Sequence, residues 1–287
     1  MYYQEFEPRP AFSQHVECFW ELELSPEEAN KPYEVLAPDC TFDIVFCDQP
    51  LSLFFVHKNG KEKIPAGAIF IGQKTSGIYF CITRPQKVFG IRFKPFAFAH
   101  LFSISLDQLT NKAIPLDKLF PIQESAQLLI KSILTDKEQQ AKIVYAEKLI
   151  LALFDDLFYI DQTFRAQLNY ILNRKGMLKI QDLFTTFDVS KVTLHKHFLE
   201  KMGLSPKQVS RIWRLNHFLQ LQQQASHQNF THLALEAGYY DQAHSIREFK
   251  AFFNHCPSHL FQQNSQLLKI SQDIITRRFS NAYDPRV

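Results

Sequence analysis

The sequence predicts an α+β fold: an N-terminal β-barrel or sandwich carrying helices over residues 1–160, an all-α double helix-turn-helix domain over 161–265, and a C-terminal tail over 266–287. Three observations predict it. Short runs of alternating apolar and polar residues fill positions 13–93, separated by turn signals, as in a protein of many short strands. One pattern of helix, tight turn, cap and second helix is then written twice, so that Lys196-His197-Phe198 through Ser205-Pro206 falls on Arg247-Glu248-Phe249 through Cys256-Pro257. Charge also changes between the halves. Residues 1–159 carry 16 Lys and Arg against 20 Asp and Glu, whereas residues 160–287 carry 16 against 9. A basic half behind an acidic one points to a polyanionic partner for the second half.

A chain of 287 residues exceeds one small core and suits two domains. With 46% hydrophobic residues and 28 Phe it is not disordered by composition. The five cysteines, Cys18, Cys40, Cys47, Cys81 and Cys256, are odd in number and form no C-x-x-C pair. Reduced, mostly buried thiols are therefore expected, with neither a disulfide framework nor a zinc site. The start lacks the basic and apolar regions of a secretion signal, and no run approaches a membrane span. A cytoplasmic protein is expected.

In the first half the alternation Val16, Cys18, Trp20, Leu22, Leu24 predicts a strand over Ser13–Leu24. Further strands are predicted at Thr41–Cys47, Leu51–His57, Ala68–Ile71, Ile78–Thr83 and Val88–Phe93, with turns such as Lys58-Asn59-Gly60-Lys61 between them. The pattern then turns helical, at Phe96–Phe102, Ile122–Leu134 and Lys137–Phe158. In the last of these Ile143, Ala146, Ile150, Leu153 and Leu157 form a stripe that is either core or a dimer seam.

A small-molecule pocket inside the barrel is the functional expectation here, lined by Trp20, Phe42, Phe46, Phe54, Phe55 and Phe70 with Asp39 or Asp43 as polar contacts. The competing reading is that these rings only fill the core. His15, His57 and His100 stand alone, without the paired spacing of a metal oxygenase. No nucleophile elbow, phosphate loop or dinucleotide fingerprint is present. Neither catalysis nor a cofactor is expected.

In the second half a helix over Gln162–Asn173 leads into the first unit. Gln181–Phe187 is its scaffold helix, Asp188-Val189 its turn, Ser190 the N-cap and Lys191–Lys201 the recognition helix. Leu194 and Phe198 point inward, leaving Val192, Thr193, His195 and Lys196 for a DNA groove. Ser205-Pro206 opens a helix to about Gln223, stiff enough to space two recognition helices along one DNA face. Arg211 and Arg214 on it are candidate phosphate contacts. The second unit has a scaffold helix over Thr231–Ala237, Gly238 in the turn, Asp241 as cap and a recognition helix over Gln242–Phe253, with Ile246 and Phe249 as core. Its outward set is Gln242, His244 and Arg247, with Lys250 as a phosphate contact. His195 and His197, two apart on a helix, face different sides and do not chelate. Arg277-Arg278 is read as part of a loose solvated end.

Residues Leu178–Gln262 resemble the AraC family of bacterial transcription regulators, above all through Ala237-Gly238-Tyr239-Tyr240-Asp241-Gln242-Ala243-His244-Ser245-Ile246-Arg247-Glu248-Phe249 and Pro257-Ser258. The first unit is similar through Val189-Ser190, Leu194, Phe198 and Gly203-Leu204-Ser205-Pro206. The first half is similar to one branch's N-terminal domain through Val35–Asp43 and Ile91–Pro95. The resemblance implies a cupin-like sensor barrel joined to a domain that binds double-stranded promoter DNA and recruits RNA polymerase. It implies base contacts at Val192, His195 and Lys196 and at Gln242, Ala243, His244 and Arg247. Phe184 departs from the pattern, standing where a small residue is usual, and so does Asp188, where Gly is common. Phe184 is expected to splay the first unit and leave more of the specificity to the second. The rival readings are an N-terminal domain used only for homodimerisation, and a barrel enzyme with a DNA-binding appendage.

Overall fold

Residues 16–24 and 86–93 alternate in side-chain direction and pair antiparallel along their length, from Val16 opposite Phe93 to Leu24 opposite Gln86. Around this pair the chain builds two sheets. The computed structural model describes residues 1–24, 34–56, 62–81, 84–99, 104–154, 159–225 and 230–280. The strands are β1 (Tyr2–Phe6), β2 (Val16–Leu24), β3 (Glu34–Leu36), β4 (Phe42–Cys47), β5 (Leu51–Phe55), β6 (Glu62–Ile64), β7 (Gly67–Ile71), β8 (Ile78–Phe80), β9 (Gln86–Phe93) and β10 (Ala113–Pro115). A six-stranded sheet runs β1-β2-β9-β4-β7-β10 and a four-stranded sheet β3-β8-β5-β6. The predicted turn at 58–61, the strand ends at His57 and Thr83, and His100 lie outside the described residues.

Among the described residues no hydrogen-bonded strand pair joins the two sheets, so where a barrel was expected the structure shows two facing sheets. Sequence spacing reports how many strands there are, whereas closure depends on strand length and stagger. Between the sheets lie Trp20, Val45, Ile69 and Val88 from the large sheet and Leu53, Phe55, Ile64 and Ile78 from the small one. The other face of the large sheet, with Phe19, Phe42, Ile44, Phe46, Phe70 and Phe93, packs on α1 (Glu124–Thr135) and α2 (Gln139–Leu153). With both faces covered, every residue of β4 is buried, which is why it reads as one apolar run. The predicted helix at Phe96–Phe102 is instead a series of turns through Ala99, closed by Ala97 N–H to Lys94 O (3.0 Å) and Ala99 N–H to Phe96 O (3.3 Å); residues 100–103 are not described.

The second half is helical: α3 (Gln162–Asn173), α4 (Ile180–Thr186), α5 (Lys191–Met202), α6 (Pro206–Gln224), α7 (Phe230–Glu236), α8 (Gln242–Phe253), α9 (Pro257–Gln262) and α10 (Gln266–Ser280). Asp161 caps α3 by accepting from Phe164 N–H at 2.9 Å. The helix α10 corrects the reading of residues 266–280 as a loose tail. Leu267, Leu268, Ile274 and Ile275 recur at helical spacing and are all buried, so α10 covers a core rather than trailing into water. Gln272 on it donates to Leu219 O (3.3 Å) and Gln222 Oε1 (2.8 Å) on α6.

The halves share one core. Val35, Ala37, Tyr79 and Phe96 belong to the same buried cluster as Phe198, Trp213, Phe249 and Phe253. Polar bonds cross the seam as well: Gly77 N–H to Phe252 O (2.9 Å), Tyr79 O–H to Phe253 O (2.6 Å), Thr110 O–H to Gly203 O (2.6 Å) and Ser265 O–H to the Glu34 carboxylate (2.6 Å).

Candidate functional site

The second helix of each unit starts on a side-chain cap. Ser190 Oγ accepts from Thr193 N–H at 3.1 Å and Asp241 Oδ1 accepts from His244 N–H at 2.6 Å, each satisfying a first-turn donor that the helix itself cannot. Both helices end on a left-handed residue, Gly203 (φ 80°) and Asn254 (φ 56°). Inward faces are apolar, with Leu194, Phe198 and Met202 in α5 and Phe249, Phe252 and Phe253 in α8. Ser245 takes an inward position in α8, and Ile246, expected in the core, is only half-buried.

The outward faces leave the polar residues in water. Val192 (77% exposed), Thr193, His195 and Lys196 line α5, and Gln242, Ala243, Arg247 and Lys250 line α8. His244 is half-buried: its ring meets Tyr239 edge-on at 5.5 Å and Nδ1 accepts from Tyr240 N–H at 3.4 Å. Gln242 Oε1 accepts from the Thr231 hydroxyl at 3.0 Å. Lys196 sits 3.7 Å from Glu200 one turn on.

The two units are not in constant register. Val189 N–H donates to Phe184 O (3.1 Å) as Tyr239 N–H donates to Ala234 O (3.0 Å), so Phe184 corresponds to Ala234 and Leu183 to Leu233. The left-handed turn residues are Asp188 (φ 45°) and Gly238 (φ 82°). Ser190 nevertheless corresponds to Asp241, so the second turn holds one extra residue, Tyr240, which is 87% exposed. The correspondence of Lys196 with Arg247 holds through the recognition helices and slips by one residue before them. Phe184 is accommodated half-buried without losing the turn's hydrogen bond.

Between the units, α6 opens with a capping box formed by Ser205 and Gln208 and has Pro206 in its first turn. Its 19 residues span about 28 Å at 1.5 Å each. Arg211 and Arg214, read as phosphate contacts, are engaged inside the protein. Arg211 Nε is 2.8 Å from Glu248 on α8 with its guanidinium over Phe252, and Arg214 donates to Gly176 O (3.4 Å) and lies over Tyr239. Sequence could not separate a solvated Arg from one folded back on an aromatic neighbour. In front of α5, Ser105 and Asp107 share a shallow depression with Lys191, Val192, His195 and Lys196.

The first half contains a cavity of about 90 Å³ between its sheets, walled among others by Trp20, Asp43, Lys74 and Arg92. Of the residues expected to line it, Trp20 and Asp43 do. Phe42, Phe46 and Phe70 do not: one step along a pleat reverses a side chain, and they lie on the opposite face against the helices. Phe55 is buried in the core between the sheets. The Phe54 side chain lies outside the described residues. Trp20 rests against Gly90, its partner across β2 and β9; a Cβ at Gly90 would come within 2.1 Å of the indole, so only glycine leaves room for it.

One end of the cavity carries a buried ionic cluster that sequence spacing gave no means to assemble. Lys74 Nζ lies 2.9 Å from Asp39 and 3.4 Å from Asp43. Arg92 lies 3.1 Å from Glu5 and 3.3 Å from Asp43. Arg278, from α10, is 2.6 Å from Glu17 and donates to Asp39 O at 3.1 Å, which corrects its reading as a solvated residue. Trp20 Nε1–H donates to Asp43 Oδ1 at 3.1 Å. Burial pushes the Asp39 carboxyl up, but Lys74, then Arg278 and Arg92, outweigh it and hold the group well below the usual carboxylate range. Among the described residues no group of three or more His, Cys, Asp or Glu is placed to hold a metal ion, and no helix is long and apolar enough to cross a membrane.

Residues 183–263 match the family described as "Helix-turn-helix domain", and residues 4–115 the family described as "Domain of unknown function (DUF6597)". No curated protein matches the chain. Among solved structures, ToxT from Vibrio cholerae is similar over 92% of this chain and 99% of that chain, at 10% identity and a TM-score of 0.49. Unsaturated fatty acid bound wild-type ToxT from Vibrio cholerae strain SCE256 is similar over 84% and 94%, at 11% identity and a TM-score of 0.43. The AraC-like transcriptional activator CuxR is similar over 72% and 74%, at 13% identity and a TM-score of 0.25.

Proposed function

We propose that the chain, which carries a helix-turn-helix domain behind a separate N-terminal domain, is a transcription regulator of the AraC type, that α5 and α8 enter successive major grooves on one face of a DNA duplex, and that the N-terminal domain, residues 1–160, takes up a small-molecule effector. The observation that carries the DNA reading is the pair of capped helices with hydrogen-bonding side chains exposed on their outer faces, joined through a single rigid helix. Arg247, exposed and nearly two turns past the Asp241 cap, pairs two donors with a guanine edge; Lys250, a turn further on, meets a phosphate. Arg211 and Arg214 serve here as braces of α6 against its neighbours. The cavity beside Trp20 supports the sensing part. Recruitment of RNA polymerase and association of two copies belong to the reading through family resemblance alone.

Fluorescence anisotropy on duplexes selected from a random pool tests the assignment. Arg247→Ala is expected to cost about 1–3 kcal/mol on the selected site and to relax the choice of one base. Lys250→Ala is expected to weaken all sequences alike and to flatten the salt dependence by about one unit of slope. Equal losses on selected and random DNA for both variants would contradict it.

A further inference from the structure

Resting on the reading of the first half as a sensor, we infer that its cavity admits an uncharged, mainly apolar molecule with one hydrogen-bond acceptor, and that the C-terminal helix α10 forms part of the binding wall. The wall is apolar on three sides, from Leu22 and Val88 on the large sheet, Leu53 and Ile78 on the small sheet, and Leu267, Ile270 and Ile274 on α10. The space exceeds the roughly 10–15 Å³ that one water centre needs, yet its walls give a water few polar partners. A cavity of that kind favours an apolar occupant over water.

The polar end decides the charge of the occupant. Four carboxylates, Asp39, Asp43, Glu5 and Glu17, face four cations, Lys74, Arg92, Arg277 and Arg278, with Arg277 2.8 Å from Glu5. Lys74 is 1% exposed and Arg92 4%. A ligand carboxylate placed there adds a negative charge with no counterion, and a ligand ammonium adds a positive one; either is costly away from water. One donor is spare. Arg92 Nε–H makes no hydrogen bond, although the Asp43 carboxylate is 3.3 Å away, and an ether, carbonyl or hydroxyl oxygen would satisfy it at no charge.

Because α10 also packs on α6 through Gln272, occupancy of this wall is in direct contact with the rod between the two recognition helices. A sensor pocket walled by a helix from beyond the DNA-binding unit needs no further relay.

Isothermal titration of the full chain at pH 8 with 1-octanol and with octanoate, equal chains differing in charge, tests the inference, with DNA binding measured separately on the same preparation. Octanol is expected to bind at least ten-fold more tightly than octanoate. Glu5→Gln, on the edge strand β1, leaves the cluster one positive charge in excess and is expected to raise octanoate affinity at least ten-fold; Asp43→Asn provides the same shift from the buried side. Octanoate binding the unaltered protein as tightly as octanol, or a preference unmoved by both substitutions, would overturn the charge assignment while leaving the sensor reading intact. Uptake of neither probe by a chain that still binds DNA would overturn the inference and the sensor reading together.

Discussion

Lys74→Met is expected to destabilise the N-terminal half by about 3–5 kcal/mol, the range for removing one partner of a buried ion pair. The ammonium is 1% exposed and bridges Asp39 at 2.9 Å and Asp43 at 3.4 Å. Without it the cations left beside the two buried carboxylates are Arg92, near Asp43, and Arg278, near Asp39. Adding Asp43→Asn to Lys74→Met is expected to recover part of the loss, since it removes the excess charge while keeping an acceptor for Trp20 Nε1–H. Urea denaturation followed by Trp20 fluorescence reads both. A Lys74→Met loss below about 1 kcal/mol, the size of an exposed pair, would show the cluster to be solvated. Asp39 adds an acid limit. Its folded pKa is depressed, so its contribution is complete above the unfolded value of about 4 and is lost as pH falls toward the folded one.

The second large effect lies on α6. His217 is 4% exposed, and its Nε2 lies 3.2 Å from the Lys175 ammonium. Burial first, and then the Lys175 charge, lower its pKa to about 4. The folded chain therefore holds His217 neutral where the unfolded chain, at an ordinary value of about 6.5, takes up a proton. Stability contributed by the neutral ring is complete above about pH 6.5 and declines as pH falls toward 4. The total loss is about 3 kcal/mol at 1.36 kcal/mol per pH unit. His217→Gln is expected to flatten that slope in thermal melts between pH 7 and 4.5. An unchanged slope would show that His217 is protonated in the folded state.

Much of the helical half was legible because its signals are local. Ser190 and Asp241 announce their helices within three residues, and Gly238 marks a turn that needs a positive φ. What escaped depends on distant partners. The nearly unbroken apolar run of β4 could not say which face was the cavity, because α1 and α2 cover the face carrying Phe42 and Phe46 as fully as the small sheet covers the other. Lys74 meets Asp39 only when the N-terminal half folds, and Arg278 meets Glu17 only when the halves dock, and no spacing encodes either. The helix α10 was legible, since Leu267, Leu268, Ile274 and Ile275 have helical period and are all buried. Tyr240 is a different kind of miss, one inserted residue inside a repeat whose flanks match.

Asp107, beside Lys191 and Lys196 in front of α5, sets the two reading faces apart: a DNA backbone approaching the first unit meets a carboxylate. Both units are nevertheless expected to engage the DNA. Hydroxyl-radical footprinting of the full chain on a site selected from random duplexes measures this most directly. Two protected segments are expected on one face, centred about one helical turn, 10–10.5 base pairs, apart, with Arg247→Ala erasing one and Lys196→Ala weakening the other. A single protected segment, erased whole by Arg247→Ala and untouched by Lys196→Ala, would contradict it.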